Sequence, residues 1–427
     1  MSGYARAAHA LGATVTGSDR AETPYLARLR EEGVLDAAIG HDAGNVPAGE
    51  EVELVYSSAI PVDNPERAVA RERGLPDRAR AELLGELSGL RRTIAVAGAH
   101  GKTTTAAMIV HVLRGEGLDP GWLIGSSIGG GLANSHWSEG EWLVVEADES
   151  DRSMLSLHAE IAVLTNVELD HHASFRSLAE LRAAFAQFLA LARGAVVVWD
   201  RPELTSLSAP GPGVELVRFD TPGLALLAGG SRFDWRGQEV WLGVPGEHNA
   251  LDAAGALEAA RLAGADPVRS IDRLRDFRGA GRRFQRVGVS ARGAQVYEDY
   301  AHHPTEVAAT LQGARTLPHE RLVAVFQPHL FSRTAMLANE FGRALALADV
   351  VAVLDVYPAR ERAADYPGVS GLTIVRATVE RAHGRTVLWL PGFASARPVL
   401  EGLLGAGDVC VAMGAGDIDV LVRELVA

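Results

Sequence analysis

The sequence predicts an α/β fold built as three successive blocks, and three observations carry that expectation. Its apolar segments, such as RTIAVAG (92–98), AVVVWD (195–200) and LVAVF (322–326), are near-continuous rather than alternating, the pattern of parallel strands covered on both faces. Helical segments separate these strands, as in βαβ units. The length, 427 residues, accommodates about three domains at roughly 150 residues each.

The first block, residues 1–90, holds strand-like ATVTGSD (13–19) and ELVYSSAIP (53–61), the latter ending in small polar residues. NPERAVARERG (64–74) starts on Asn-Pro and stops on glycine, the boundary chemistry of a helix. The second block, residues 91–287, opens with the strand RTIAVAG and a glycine-rich turn. A helix follows over 103–117, with apolar residues at 106, 107, 109, 110, 112 and 113. EWLVVEAD (141–148), EIAVLTNV (160–167) and AVVVWD (195–200) are its later strands. The third block, residues 288–427, repeats the alternation, with strands near LVAVF (322–326), VVAVLDV (350–356) and DVCVAMGAG (408–416).

Composition narrows the function classes. Hydrophobic residues make up 47% and charged residues 22%, the balance of a soluble globular enzyme. No run of 18 apolar residues is present, so no transmembrane helix is expected. The N-terminal MSGYARAAHALGA lacks the basic and apolar regions of an export signal. A lone cysteine, Cys410, cannot form an internal disulfide, and these features together predict a cytoplasmic setting. A net charge of −13 argues against general nucleic-acid binding. Nucleotides stay open, because a phosphate site needs only local donors. No obligate protein partner is evident. Of 41 basic residues one is a lysine, Lys102. A GC-rich gene accounts for the arginines; a compact ammonium suits phosphate oxygens inside a tight loop better than a planar guanidinium does.

Lys102 lies in GAHGKTTT (98–105), a shortened phosphate loop in which Val96 stands where G-x-x-x-x-G-K-[ST] has its first glycine. Strand, glycine turn, helix N-terminus, lysine and hydroxyl are all present, so Gly98, His100, Gly101, Lys102, Thr103 and Thr104 are expected to hold ATP phosphates. A chance GKT in a turn does not account for its place between a buried strand and a helix. VVEADESD (144–151) is a strand discharging into four acids, and Glu146 is the first candidate for Mg²⁺. TNVELDHH (165–172) ends a second strand, where a histidine could serve a second metal or the transferred phosphate. In GEHNALDAAGALEAARLAG (246–264), Asn249 either pairs with an adenine edge or caps the helix, and spacing alone favours the cap. Arg282 and Arg283 in GAGRRFQ (279–285) are either an exposed linker pair or a source of charge for a transferring phosphoryl group. EDYAHHPTEV (298–307) and FQPHLFSRT (326–334) add histidines and an arginine without convincing metal-ligand spacing; both follow strands, as a cleft for an anionic or zwitterionic substrate would.

Taken together these motifs resemble the Mur ligase family, and within it the branch that adds L-alanine to UDP-N-acetylmuramate in peptidoglycan biosynthesis. The likeness spans essentially the whole chain through YSSAIPVDNPE, GAHGKTTT, EADESD, the N-V-E-x-D-H strand end, GEHN, RRFQ, DYAHHPTE, FQPHLFSRT and GAGDI. It implies three domains: a Rossmann-like UDP-binding domain (1–90), a P-loop ATPase domain (91–287) and a Rossmann-like C-terminal domain (288–427) for the amino acid. It also implies a reaction through an acyl phosphate, with ADP and phosphate released. Lys102 would hold phosphates; Thr103 and Glu146 one Mg²⁺; His171 with Glu146 a second; Arg283 the γ-phosphate. The resemblance moves Asn249, with His248, to the adenine. Ser18, Asp19, Ser57 and Ser58 would line the UDP site, and His303, His329 and Arg333 would face the muramyl and alanine end.

Family members carry a strand and a G-I-G-G-x-G loop ahead of the segment that matches Met1-Ser2-Gly3, so either the start is placed too late here or the first domain lacks both. Leu330 stands where the family usually has arginine. No lysine lies between 172 and 200, so the carbamylated lysine of some sister ligases is not expected. DHHASF (170–175) leans toward the rival that recycles a tripeptide onto the same nucleotide sugar, whereas EADESD and FQPHLFSRT favour the alanine branch. A nucleotide-binding protein with impaired ligase activity is the remaining alternative.

Overall fold

The computed structural model describes residues 1–49, 51–129, 131–170 and 174–426. Its contacts divide the chain into two units, one of residues 1–220 and 252–274, the other of residues 221–251 and 275–427.

The first unit begins with four short strands, β1 (Gly17–Asp19), β2 (Ala37–Ile39), β3 (Leu54–Tyr56) and β4 (Asp77–Ala79), paired in parallel as β1–β2 and β3–β4. The strands expected at 13–19 and 53–61 are therefore present but shorter, because each finds a ladder partner over three residues only. Helices α1 (Ser2–Ala10), α2 (Pro24–Glu31), α3 (Pro65–Glu72) and α4 (Arg80–Gly89) accompany them. Helix α3 starts as its sequence dictates. The Asn64 side chain accepts from the N–H groups of Glu66 and Arg67 at 3.0 and 3.3 Å, and Pro65 occupies the first turn, where a missing N–H costs nothing.

A seven-stranded sheet follows. It contains β5 (Arg92–Ala97), β6 (Gly121–Leu123), β7 (Ser135–His136), β8 (Trp142–Glu146), β9 (Ala159–Leu164), β10 (Ala195–Trp199) and β11 (Glu215–Phe219) in the order β11-β10-β9-β5-β8-β6-β7. All pairs are parallel except β6–β7. Ile94, Ala95, Val96 and Ala97 are fully buried, which is why β5 is apolar on both faces. Helix α5 (Lys102–Gly115) is buried at every residue from Thr103 to Val110, so it lies inside the unit rather than on its surface. From β5 the chain passes to β6 and β8 on one side and then to β9, β10 and β11 on the other. Strand order thus reverses at β5, and the carboxyl ends of β8, β5 and β9 lie side by side, the crevice where open α/β sheets bind ligands.

In the second unit, β12 (Ala225–Leu227), β13 (Gly230–Trp235) and β14 (Gln238–Leu242) form an antiparallel sheet, which corrects the expectation of parallel sheets throughout. A larger sheet of β15 (Gln285–Val289), β16 (Gln295–Asp299), β17 (Arg321–Phe326), β18 (Val350–Val353), β19 (Thr386–Trp389) and β20 (Asp408–Met413) has the order β15-β16-β20-β17-β18-β19. Only β15 runs antiparallel to its neighbour. Its two faces feed separate cores. Leu322, Ala324 and Phe326 of β17 enter one with Val409, Val411 and Met413 of β20, while Val323 and Val325 enter the other with Cys410 and Ala412. Burial pushes the Cys410 thiol up to about 12, so the chain's one cysteine is packing, not a nucleophile.

Candidate active site

The phosphate loop turns at the carboxyl end of β5, and its glycines are there for space. Gly98 has φ +142°, and a Cβ on it would lie 2.0 Å from the Thr165 hydroxyl. Gly101 has φ +82°, and its Cβ would lie 2.3 Å from an oxygen of Asp252. Between them, the His100 N–H donates to Asn166 Oδ1 at 2.9 Å, and the His100 carbonyl accepts from Asn166 Nδ2 and Thr165 Oγ1 at 2.9 and 2.6 Å. The His100 ring meets Glu168 at 2.9 Å. Thr165, Asn166 and Glu168 of this second strand end therefore clamp the loop. These clamps place Lys102 and the buried residues Thr103 and Thr104 in the first turn of α5, where the positive end of the helix dipole favours an anion.

The Lys102 ammonium donates to the Gly98 carbonyl at 2.5 Å and to both Glu149 oxygens at 3.0 and 2.9 Å. Glu149 is 1% exposed. Burial pulls the lysine pKa down, but the Glu149 and Asp148 carboxylates outweigh it and the net direction is upward, so Lys102 is a cation. Sequence reasoning singled out Glu146 and missed Glu149. The four acids in fact divide their work. Glu146, at the end of β8, accepts from the Gly125 N–H at 2.6 Å; Glu149 takes Lys102; Asp148 and Asp151 go to Arg80 at 3.0 and 2.5 Å. Burial raises the Asp148 carboxyl, but Lys102 and the Ser150 N–H together hold it below the usual range. His171, the expected partner of Glu146, lies outside the described residues.

Ser18 and Asp19 sit at the end of β1. The Ser18 hydroxyl donates to Glu66 at 2.8 Å and lies 2.9 Å from the His41 ring; Asp19 is exposed. Ser57 and the exposed Ser58 form the turn after β3, with Ser57 Oγ accepting from the Ala59 N–H at 3.3 Å.

In the second unit, Asn249 is the third residue of the helix Glu247–Leu262, not its cap: its amide donates to the Pro245 carbonyl at 2.6 Å. Burial, with Arg283 adding to it and Glu306 opposing, lowers His248 to about 4. Of the arginine pair, Arg282 bonds the carbonyls of Gly414 and Gly416 at 3.0 Å, whereas Arg283 faces Glu306 at 3.9 Å. Neither is a loose linker residue. Asp299, which sequence reasoning passed over, is pushed up to about 6 by burial even though Arg283 and two backbone N–H groups favour its charged form. His303 precedes the helix Pro304–Ala314, and Glu306 in its first turn accepts from the His303 N–H at 3.2 Å. His329 contacts Arg333 at 3.2 Å and stacks on Tyr357, with ring centroids 5.8 Å apart. Leu330 is buried at φ +70°, a costly conformation for leucine, and begins the short helix Phe331–Met336 that carries Arg333.

Among the described residues, no helix is long and apolar enough to cross a membrane. Three family models match in succession: the Mur ligase catalytic domain over residues 1–92, the Mur ligase middle domain over 96–260, and the Mur ligase glutamate ligase domain over 282–416. A relative named UDP-N-acetylmuramate–L-alanine ligase from Rubrobacter xylanophilus is 43% identical over 442 residues, covering 100% of this chain and 97% of its own. One of the same name from Mycobacterium sp. strain JLS is 40% identical over 456 residues, covering 100% and 92%. The solved structure of UDP-N-acetylmuramate–alanine ligase from Thermotoga maritima superposes with a TM-score of 0.83 at 27% identity, covering 100% of this chain and 95% of that one. With its length matched throughout by these domains and relatives, the chain belongs to the Mur ligase family and has its three-domain α/β architecture.

Proposed function

We infer that the chain is an ATP-dependent ligase that joins L-alanine to the lactyl carboxylate of UDP-N-acetylmuramate, a step of peptidoglycan biosynthesis. Full-length likeness to ligases of that name, at 40–43% identity, is the observation that carries the reading. The phosphate loop supports it, since it offers a partly buried cation at a helix N-terminus suited to the outer phosphates of ATP.

At neutral pH an amine and a carboxylate form a salt, so the carboxylate must first gain a leaving group. A lactyl oxygen attacks the γ-phosphorus of ATP and ADP departs. The alanine amine then attacks the acyl carbon, and phosphate leaves as the amide forms. The protein positions these groups and neutralises charge. Lys102 exchanges Glu149 for phosphate oxygens, and Gly98, His100, Gly101 and Thr104 shape the loop around them. Thr103 and Glu146, both hard oxygen donors, fit Mg²⁺, which would screen the phosphate charges. His171 remains assigned beside Glu146 by resemblance alone. His248 and Asn249 are assigned to the adenine, Arg283 to the γ-phosphate, Ser18, Asp19, Ser57 and Ser58 to the UDP moiety, and His303, His329 and Arg333 to the muramyl and alanine end. The reading carries a cytoplasmic location and the division at 1–90, 91–287 and 288–427. Phosphate release from ATP and UDP-N-acetylmuramate, measured with L-alanine and separately with the murein tripeptide, tests it; turnover with the tripeptide alone would transfer the chain to the recycling branch.

A further inference from the structure

Arg80 is the first residue of α4, inside the block assigned to the nucleotide sugar, yet its side chain serves the acidic loop behind β8. Its guanidinium donates to Asp151 Oδ2 through Nε at 2.9 Å and Nη2 at 2.5 Å, and to Asp148 Oδ2 through Nη2 at 3.0 Å. The opposite oxygens of these two acids accept from the loop's own backbone: Asp148 Oδ1 from the Ser150 N–H at 2.8 Å, Asp151 Oδ1 from the Ser153 N–H at 3.0 Å. Both acids are thus turned toward Arg80, and the residue between them that meets Lys102 is Glu149.

We propose that Arg80 is a positioning residue for ATP: by holding Asp148 and Asp151 it sets the charge and conformation of the loop that faces the phosphate-loop lysine. The proposal rests on the ligase reading for what that lysine binds. Without Arg80, the two carboxylates lose their shared counter-ion beside a site that must accept polyphosphate. Their repulsion for each other and for ATP is long-range compared with a lost contact, because Asp151 and Arg80 are partly withdrawn from solvent, with side-chain exposures of 16% and 25%. This makes a signed prediction. ATP affinity follows the net charge of the Arg80–Asp148–Asp151 group, whereas a salt bridge needed only for packing would suffer from the loss of either partner.

The test is ATP dissociation constants by isothermal titration, with KM values for ATP and L-alanine by phosphate release. Arg80→Ala should weaken ATP binding and raise its KM by about 10-fold while the alanine KM stays within about twofold. Asp148→Asn, with Arg80 retained, should bind ATP at least as tightly as the parent. Arg80→Ala combined with Asp148→Asn and Asp151→Asn should return ATP binding to within about threefold of the parent. Weakening by Asp148→Asn, or a triple variant as weak as Arg80→Ala, overturns the proposal, as does Arg80→Ala indistinguishable from the parent. Should Arg80→Ala not fold, the pair Asp148→Asn/Asp151→Asn decides: tighter or equal ATP binding supports the proposal and weaker binding refutes it. A parent protein that binds ATP but turns over no amino acid would sink the ligase reading alone, since the binding series still reads Arg80.

Discussion

Replacing Lys102 with methionine separates what the lysine does for the fold from what it does for ATP. Both Glu149 oxygens lie within 3.0 Å of the Lys102 ammonium, and Glu149 is 1% exposed. Methionine keeps the apolar stem but leaves that carboxylate buried without its cation. Breaking a buried pair from one side costs about 3–5 kcal/mol, far more than the 0–1 kcal/mol of a surface pair. Adding Glu149→Gln removes the stranded charge, so the double variant should regain at least about 2 kcal/mol of that loss. ATP turnover should not recover: losing one preorganised charge donor at a reacting phosphate costs about 10²–10³-fold. Hydrogen exchange at β5 and β8 reads the stability of this unit directly, and phosphate release reads the chemistry. Equal protection in Lys102→Met and the parent would show that Glu149 does not depend on the lysine. Restored turnover in the double variant would remove Lys102 from the reaction.

Lys102→Arg retains the charge but puts a planar fork where Gly98 and Glu149 converge on one nitrogen; turnover should fall by about 10²-fold or more in the phosphate-release assay. Gly98→Ala drives a Cβ to 2.0 Å from the Thr165 hydroxyl, so ATP binding by titration should be lost and the unit destabilised by more than about 2 kcal/mol. Chelating divalent cations should abolish turnover, with Mg²⁺ restoring it. In the second unit, His248 near 4 and Asp299 near 6 act in opposite senses. The histidine binds a proton more readily unfolded, so stability falls as pH drops from about 6.5 toward 4; the carboxyl binds one more readily folded, so stability rises from about 6 to 4. Each is worth about 3 kcal/mol at about 1.4 kcal/mol per pH unit, and His248→Asn should unmask the rise in urea titrations across that range.

The strand, glycine turn and helix start around Lys102 were legible because they follow one another along the chain. The fold class was legible for a similar reason, since β17 buries Leu322 on one face and Val323 on the other and so reads as an unbroken apolar run. What stayed hidden depends on strand neighbours. Thr165 and Asn166 clamp His100 because β9 lies beside β5, and Glu149 reaches Lys102 because β8 lies on the other side. No spacing in the sequence states that order. A signal for the antiparallel sheet did exist, in the alternation of Arg232 and Asp234 with Phe233 and Trp235 and in the Arg236-Gly237 pair that turns into β14. The acids of EADESD were seen but could not be apportioned, since Arg80 is distant in sequence and is brought to them by α4, which packs against the Ser153–Ser156 turn after the loop.

That apportioning explains why one lysine suffices. A site with Glu146, Asp148, Glu149 and Asp151 at one strand end would repel ATP if all four faced it. Arg80 holds Asp148 and Asp151, and the Gly125 N–H accommodates Glu146, which leaves a single carboxylate directly on the lysine. Glu149 keeps Lys102 cationic, and on the ligase reading phosphate oxygens would offer the same ammonium an equivalent partner. The exchange replaces one charge-assisted set of bonds by another, so the lysine never pays for burial as a bare charge. On the ligase reading, the carboxylate it releases would stand beside incoming polyphosphate, and Mg²⁺ held by Thr103 and Glu146 would supply the positive charge that screens both.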